Sequence, residues 1–167
     1  MNMKELRFNR NDWQELIAGC KTGYPKEVCG ILLGSCHGKV EKVIFLPNIA
    51  DGNHSHRLSE LAKAGAISID PNRMNRGGLY EFVFDPAQVN AALQPIWTSQ
   101  PELDQIGVFH SHPDHPAEPS VTDASQPYLS GWSNVIVAVH EGKFKEARSW
   151  YRETEDSSFQ EERILVG

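Results

Sequence analysis

The chain has little cysteine, no long apolar run and no cluster of basic residues. Its three cysteines, Cys20, Cys29 and Cys36, form no Cys-x-x-Cys pair, so neither a disulfide framework nor a cysteine-rich zinc finger is indicated. No run of 18 apolar residues is present, so the sequence predicts no transmembrane helix. Residues 1–7 lack the apolar stretch of a signal peptide, and we therefore expect a cytoplasmic location.

The composition is that of an ordinary globular protein. The chain has 167 residues, of which 40% are hydrophobic and 23% charged, so we expect one domain, spanning residues 1–167. Its net charge of −6, without basic clusters, argues against nucleic acid as a partner. Neither nucleic acid nor a membrane is therefore an expected partner, and the oligomeric state stays open.

Alternating and helical apolar patterns predict a mixed sheet with about three flanking helices, in the α/β or α+β class. The first helix should begin at Asn9 or Asn11 and end near Cys20, and the second should begin with Asp85 as cap and end or kink at Pro95. A third helix should follow Ser120, up to about Leu129. The expected strands are 27–34, 40–46, 79–84, 105–109, 135–139, 143–152 and 159–166.

The segment at about 51–78 is polar and rich in glycine. It predicts a long insertion loop with at most one short helix, around residues 59–64, and long loops inside domains are usually functional or disordered. We hypothesise that this loop docks or gates a substrate. Within it, Arg76-Gly77-Gly78 has the form of a ubiquitin-like tail, although a glycine turn is the simpler interpretation.

Residues 110–123 carry a set of side chains suited to a catalytic metal. His110 and His112 alternate at the end of an apolar strand and so lie on one side of it. Asp123 follows one turn into the next predicted helix, beside Ser120. Two imidazoles and a carboxylate leave a fourth position open on a tetrahedral zinc ion, where a water becomes a nucleophile at neutral pH.

Hydrolysis of an amide also needs a proton acceptor and an oxyanion donor. Glu27 is our candidate general acid and base, because it precedes an apolar strand that can lie beside the histidine-bearing one. The alternative is an ordinary surface glutamate. Ser120 is the candidate donor, although Ser120-x-x-Asp123 is equally the pattern of a helix cap.

A second His-x-His sequence serves as an internal control. His54-Ser55-His56 is followed by Ala64 and Ile67 at the positions that correspond to Ser120 and Asp123. It lacks a carboxylate partner, and we interpret it as part of a polar loop. His115 and His140 are likewise assigned no ligand role.

Taken together, these motifs resemble the JAMM/MPN (JAB-type) metallopeptidases, in particular their compact prokaryotic branch. The resemblance runs along the whole chain in order. It rests on Glu27 with Cys29-Gly30-Ile31-Leu32-Leu33-Gly34, Pro47-Asn48, Phe84-Asp85-Pro86, His110-Ser111-His112-Pro113 and Ser120-x-x-Asp123.

The resemblance implies a fold, a cofactor and a reaction. The fold would be a curved mixed sheet similar to that of cytidine deaminases, whose own His-x-Glu and Pro-Cys-x-x-Cys signature this chain lacks. His110, His112 and Asp123 would bind one zinc ion with a water, Glu27 would be the general acid and base, and Ser120 would stabilise the oxyanion. The bond cleaved would be the amide after the C-terminal glycine of a ubiquitin-like or sulfur-carrier protein with a Gly-Gly tail.

Two other functions stay open from the sequence. One is a non-catalytic MPN-type interaction module that retains a structural zinc. The other is a zinc amidohydrolase of small molecules, because the metal ligands alone do not determine the acyl group.

Overall fold

The computed structural model describes residues 4–67, 81–126 and 129–167. These residues form seven β-strands and four α-helices. The strands are β1 (Glu5–Phe8), β2 (Cys29–Gly34), β3 (Lys42–Leu46), β4 (Asp104–Pro113), β5 (Ser133–His140), β6 (Lys143–Tyr151) and β7 (Gln160–Val166). The helices are α1 (Arg10–Gly23), α2 (Ser55–Lys63), α3 (Pro86–Ser99) and α4 (Val121–Ala124).

All seven strands belong to one sheet in the order β1-β7-β6-β5-β4-β2-β3. The pairs β4–β5 and β1–β7 are parallel and the others are antiparallel. On its other side β1 bonds to the turn after β2, where the Arg7 amide donates to the Gly38 carbonyl and the Val40 amide to the Arg7 carbonyl, both at 2.8 Å. The sheet therefore curves back on itself, which confirms the predicted curved mixed sheet.

Helices cover both faces of the sheet. On one face α1 packs Leu16 and Cys20 against Leu32, Phe109 and Val135. On the other, Leu93 of α3 packs against Ile31 and Leu33 of β2. Because side chains alternate along a strand, the even-numbered residues of β4 from Val108 onwards point to the face that α3 covers.

Several predicted elements differ from the structure in extent. Helix α3 continues past Pro95, because Ile96 beyond it packs into the same apolar cluster as Leu93 and this packing outweighs the missing backbone bond. Helix α4 has only four residues, and Pro127 in the sequence disfavours helix at the residue before it. Strand β1 was not predicted; its four residues are too few for alternation to be recognised.

The segment before α3 is not a strand in its described part. Residues 81–84 are not hydrogen-bonded to a neighbouring strand as part of the β-sheet. Instead, the side chain of Asn48 bonds to the Glu81 carbonyl and the Val83 amide. The insertion at 51–78 contains α2, which begins at Ser55 and is longer than predicted, whereas positions 68–78, with Arg76-Gly77-Gly78, lie outside the described residues. Among the helices of the described ranges, none is long and apolar enough to cross a membrane.

Candidate metal centre

The two histidines of the motif belong to the last four residues of β4. His110 pairs with Cys29 of β2 on one side and Ile136 of β5 on the other. His112 lies two residues further along β4, so both imidazoles project from the same face of the sheet. Their direction is thus fixed by two neighbouring strands.

Asp123 reaches the same place from α4. Ser120 is the N-cap of that helix, and its hydroxyl oxygen accepts a bond from the Asp123 amide at 3.1 Å. In return, the Ser120 amide and hydroxyl both donate to Asp123 Oδ2 at 2.7 Å. The capping interpretation is therefore confirmed, and the cap itself holds the carboxylate in place.

The three side chains converge at distances that suit one metal ion. His110 Nε2 lies 3.0 Å from His112 Nε2 and 3.2 Å from Asp123 Oδ1, and His112 Nε2 lies 3.5 Å from Asp123 Oδ2. Ligand atoms about 2.05 Å from a tetrahedral zinc ion would lie roughly 3.3 Å apart. In the described part of the chain, this is the one group of three or more such side chains that could hold a metal.

The hydrogen bonding of His112 and the burial of His110 fit a metal as well. His112 Nδ1 lies 2.7 Å from the Pro116 carbonyl, which only accepts, so Nδ1 carries the proton and in the neutral ring Nε2 presents a lone pair. Burial lowers the pKa of His110, against the opposing pull of Asp123, and this keeps the ring neutral. Phe82 stacks on His110 with the ring centroids 4.4 Å apart.

Asp123 supplies the negative charge of the group. Burial acts to raise the pKa of its carboxyl, but His110 and His112 together hold that pKa well below its ordinary value. A carboxylate and two neutral imidazoles are the forms that bind a divalent metal. The donor set present therefore fits a metal of the zinc type.

Glu27 lies on the same face of the sheet, two residues before β2. Cys29 pairs with His110, so continuing this antiparallel register places Glu27 opposite His112. The side chain is 7% exposed. Burial, followed by the negative charges of Asp123 and Glu81, raises its pKa well above the ordinary value. A carboxyl with a raised pKa beside a metal site has the character of a general acid and base.

A family comparison bears on this set of residues. The model of the family described as "prokaryotic homologs of the JAB domain" matches residues 10–153. The chain belongs to this family. The match confirms the resemblance to the JAB/MPN group that the motifs indicate, and it spans every predicted site residue of this JAB domain.

Solved structures share the fold of this JAB domain along almost its whole length. A Desulfitobacterium hafniense protein has a TM-score of 0.69 at 22% identity, with 97% of this chain and 92% of that one covered. A Salinibacter ruber protein has a TM-score of 0.58 at 29% identity, covering 95% and 90%. A JAB1/MPN domain protein from Archaeoglobus fulgidus has a TM-score of 0.50 at 17% identity, covering 96% and 99%. No curated protein matches the chain.

The remaining histidines lie outside the candidate metal group of the JAB domain. His54 occupies the N-cap position of α2 without a side-chain capping bond, and its ring contacts Asp51 at 2.8 Å. His56 lies near Glu60 on the exposed side of the helix. The interpretation of this segment as a loop was wrong, because His56 is helical. His140 lies 3.4 Å from the His115 carbonyl.

Sequence reasoning missed three contributors to the site: Phe82, the carbonyl of Pro116 and the side chain of Asn48. A stacking ring or a backbone carbonyl leaves no signal in a single sequence. Asn48 does leave one, since it is a polar residue two positions after the last residue of the apolar strand β3, and the Pro47-Asn48 pair is among the motifs that carry the resemblance.

Proposed function

We propose that this JAB domain is a zinc-dependent isopeptidase or peptidase. Its substrate would be a ubiquitin-like or sulfur-carrier protein, cleaved at the amide bond after the C-terminal glycine. The observation that carries the proposal is the placement of Glu27 on the same sheet face as His110, His112 and Asp123. A structural metal needs ligands only, whereas a buried carboxyl with a raised pKa beside them suits proton transfer.

In this proposal, different residues bind the metal, transfer the proton and stabilise the oxyanion. His110, His112 and Asp123 would hold the zinc ion, which when bound lowers the pKa of a water and polarises the scissile carbonyl. Glu27 takes a proton from the attacking water and passes it to the departing amine. Ser120 is exposed at the rim of the site, and its hydroxyl, released from Asp123, donates to the developing oxyanion.

The edge of the sheet supports an extended tail as substrate. Strand β3 is the last strand in the sheet order, and its Leu46 pairs with Cys29, the residue that also pairs with His110. A peptide that adds along this edge would run level with the metal ligands but would be separated from β4 by β3 and β2. Its C-terminal residues would therefore have to leave the edge and cross the face of the sheet to reach the ligands. A Gly-Gly sequence suits the end of such a tail, because residues without side chains pass through a narrow channel.

The test begins with the metal content of protein purified without added metal and then supplied with zinc. We expect about one zinc ion per chain in the wild type, a large loss in Asp123→Ala and no loss in Asp156→Ala, which removes an exposed carboxylate far along the sequence. Zinc-loaded protein is then incubated with carrier proteins fused through their Gly-Gly tail to a reporter. Cleavage after the second glycine by the wild type, slowed on the order of 10²- to 10⁴-fold in Glu27→Gln, supports the proposal.

Other outcomes would point to the two other functions. One tightly bound zinc without turnover of any fusion or amide would favour an interaction module. Hydrolysis of small amides with intact fusions would favour a small-molecule amidohydrolase. A folded wild type that binds no zinc would contradict all three.

A further inference from the structure

Two side chains from distant parts of the chain hold one peptide group next to the proposed general base. The carbonyl of Glu27 accepts a bond from Asn48 Nδ2 at 3.2 Å, and the amide of Val28 donates to Ser111 Oγ at 2.8 Å. This carbonyl and this amide belong to the same planar peptide unit. The unit is thus fixed at both of its polar ends.

We infer that Ser111 and Asn48 are positioning residues that aim the carboxylate of Glu27 at the metal ligands. Fixing the plane of the peptide group fixes the backbone rotation after Glu27, and with it the direction in which the side chain leaves the backbone. Glu27 lies two residues before β2. The nearest backbone bond to β4 runs from the Ser111 amide to the Val28 carbonyl at 2.8 Å, which fixes the next peptide unit and not the one after Glu27. The inference rests on the proposed function, in which Glu27 is the base.

The position of Ser111 supports this role. Ser111 is 1% exposed and stands between His110 and His112, so its side chain points to the opposite face of the sheet. Its neighbours on that face include Phe109, which belongs to the apolar cluster around α1. A polar side chain at such a position is unfavourable unless it is hydrogen-bonded, and the Val28 amide is the partner that it serves.

The side chain of Asn48 is itself fixed by hydrogen bonds at both its oxygen and its nitrogen. Its Oδ1 accepts from the amides of Ala50 and Val83, both at 3.0 Å, and its Nδ2 donates to the carbonyls of Glu81 at 2.9 Å and Glu27. The segment it binds carries Phe82, whose ring stacks on His110. Asn48 therefore connects the base to the ligand cluster, but its removal disturbs four bonds, so Ser111 is the cleaner position to test.

The matched pair Ser111→Thr and Ser111→Val tests the inference. Threonine and valine have nearly the same shape, and only threonine retains the hydroxyl. We expect Ser111→Thr to keep most of the wild-type kcat. Ser111→Val should lower kcat by about 10- to 100-fold, the order expected from a misplaced catalytic group, with zinc content and KM unchanged.

A double-mutant comparison separates positioning from a general structural role. If Ser111 acts through Glu27, Ser111→Val should cause no further loss of kcat in a Glu27→Gln background. An equal fold loss in both backgrounds, or a loss of zinc in Ser111→Val, would overturn the inference.

A structural readout keeps this inference independent of the proposed function. Crystal structures of zinc-loaded wild type and Ser111→Val should show the Glu27 carboxylate displaced or disordered only in the variant. An unmoved carboxylate would refute the positioning role even if the enzyme proved active. If the wild type cleaves no substrate, the proposed function fails, and these two structures still decide where Ser111 acts.

Discussion

Replacing Glu27 with glutamine should make the metal-free protein more stable while greatly slowing turnover. In the folded chain, burial and the charges of Asp123 and Glu81 raise the pKa of the Glu27 carboxyl well above its ordinary value of 4.5. Because the folded pKa lies above the unfolded one, the group weakens folding at pH values above 4.5. Glutamine removes that penalty and keeps nearly the same shape.

The size and the pH dependence of the gain follow from linkage. Each unit of pKa shift corresponds to about 1.4 kcal/mol. The gain should therefore grow by up to about 1.4 kcal/mol per pH unit above the unfolded pKa and level off beyond the folded pKa. Below the unfolded pKa, Glu27 is protonated in both states, and the difference between wild type and Glu27→Gln should vanish.

Turnover should change in the opposite direction. Loss of a general acid and base lowers kcat by on the order of 10² to 10⁴, or about 3–5 kcal/mol of barrier. Zinc content should stay the same, because Glu27 is not among the three converging ligands. A variant that lost activity through misfolding would instead lose stability and zinc together.

The assay combines urea unfolding of the metal-free protein at several pH values with zinc content and single-turnover cleavage. Glu60→Gln is the control, since its side chain is 53% exposed on α2 and should change stability by less than about 0.5 kcal/mol. A Glu27→Gln protein less stable than wild type at neutral pH would refute the electrostatic reasoning. Near-full activity would refute the assignment of the base.

Two further changes address Glu81, whose charge acts on Glu27, and Ser120, the N-cap of α4. Glu81→Gln removes a negative charge that raises the pKa of Glu27. The pKa of Glu27 should therefore fall, and the acidic limb of the pH profile of kcat/KM should move to lower pH. An acidic limb that stays in place or moves to higher pH would contradict this coupling. Ser120→Ala removes the N-cap of α4 and should lower the free energy of unfolding by about 1 kcal/mol, measured by thermal denaturation. In the same variant the activation barrier should rise by up to about 3–4 kcal/mol, which is measured as a lower kcat. Ser125→Ala, at the other end of α4, should leave kcat unchanged. Full activity of Ser120→Ala would exclude the oxyanion role.

The grouping of His110, His112 and Asp123 was predictable because much of its geometry is local. Alternation along a strand places His110 and His112 on one side, and a cap followed by one helical turn places Asp123 beside Ser120. The pairing of Cys29 with His110 joins residues far apart in the chain, so no local sequence pattern indicates it. This pairing is what brings Glu27 to the same face of the sheet. The motif could nominate Glu27 as the base, but only the assembled sheet places it.

The supporting contacts were hidden from sequence reasoning for a related reason. Ser111 looks like a spacer between two histidines, and the value of its hydroxyl depends on an amide 83 residues earlier in the chain. Arg152 is similar: it is buried, and its guanidinium donates to the carbonyls of Ala124 and Gln126. Side chains that bind backbone groups across the fold leave no periodic pattern.

The candidate ligands and the proposed base come from separate parts of the sequence, and this has a consequence for the order in which the site assembles during folding. The three candidate ligands come from residues 110–123, a short stretch of the sequence that contains the end of β4 and α4. The base arrives only when the N-terminal hairpin of β2 and β3 docks against β4, a pairing of much higher contact order. Under the proposed function, the candidate ligands would therefore come together before the general base, and proteolytic activity would begin only once the hairpin has docked.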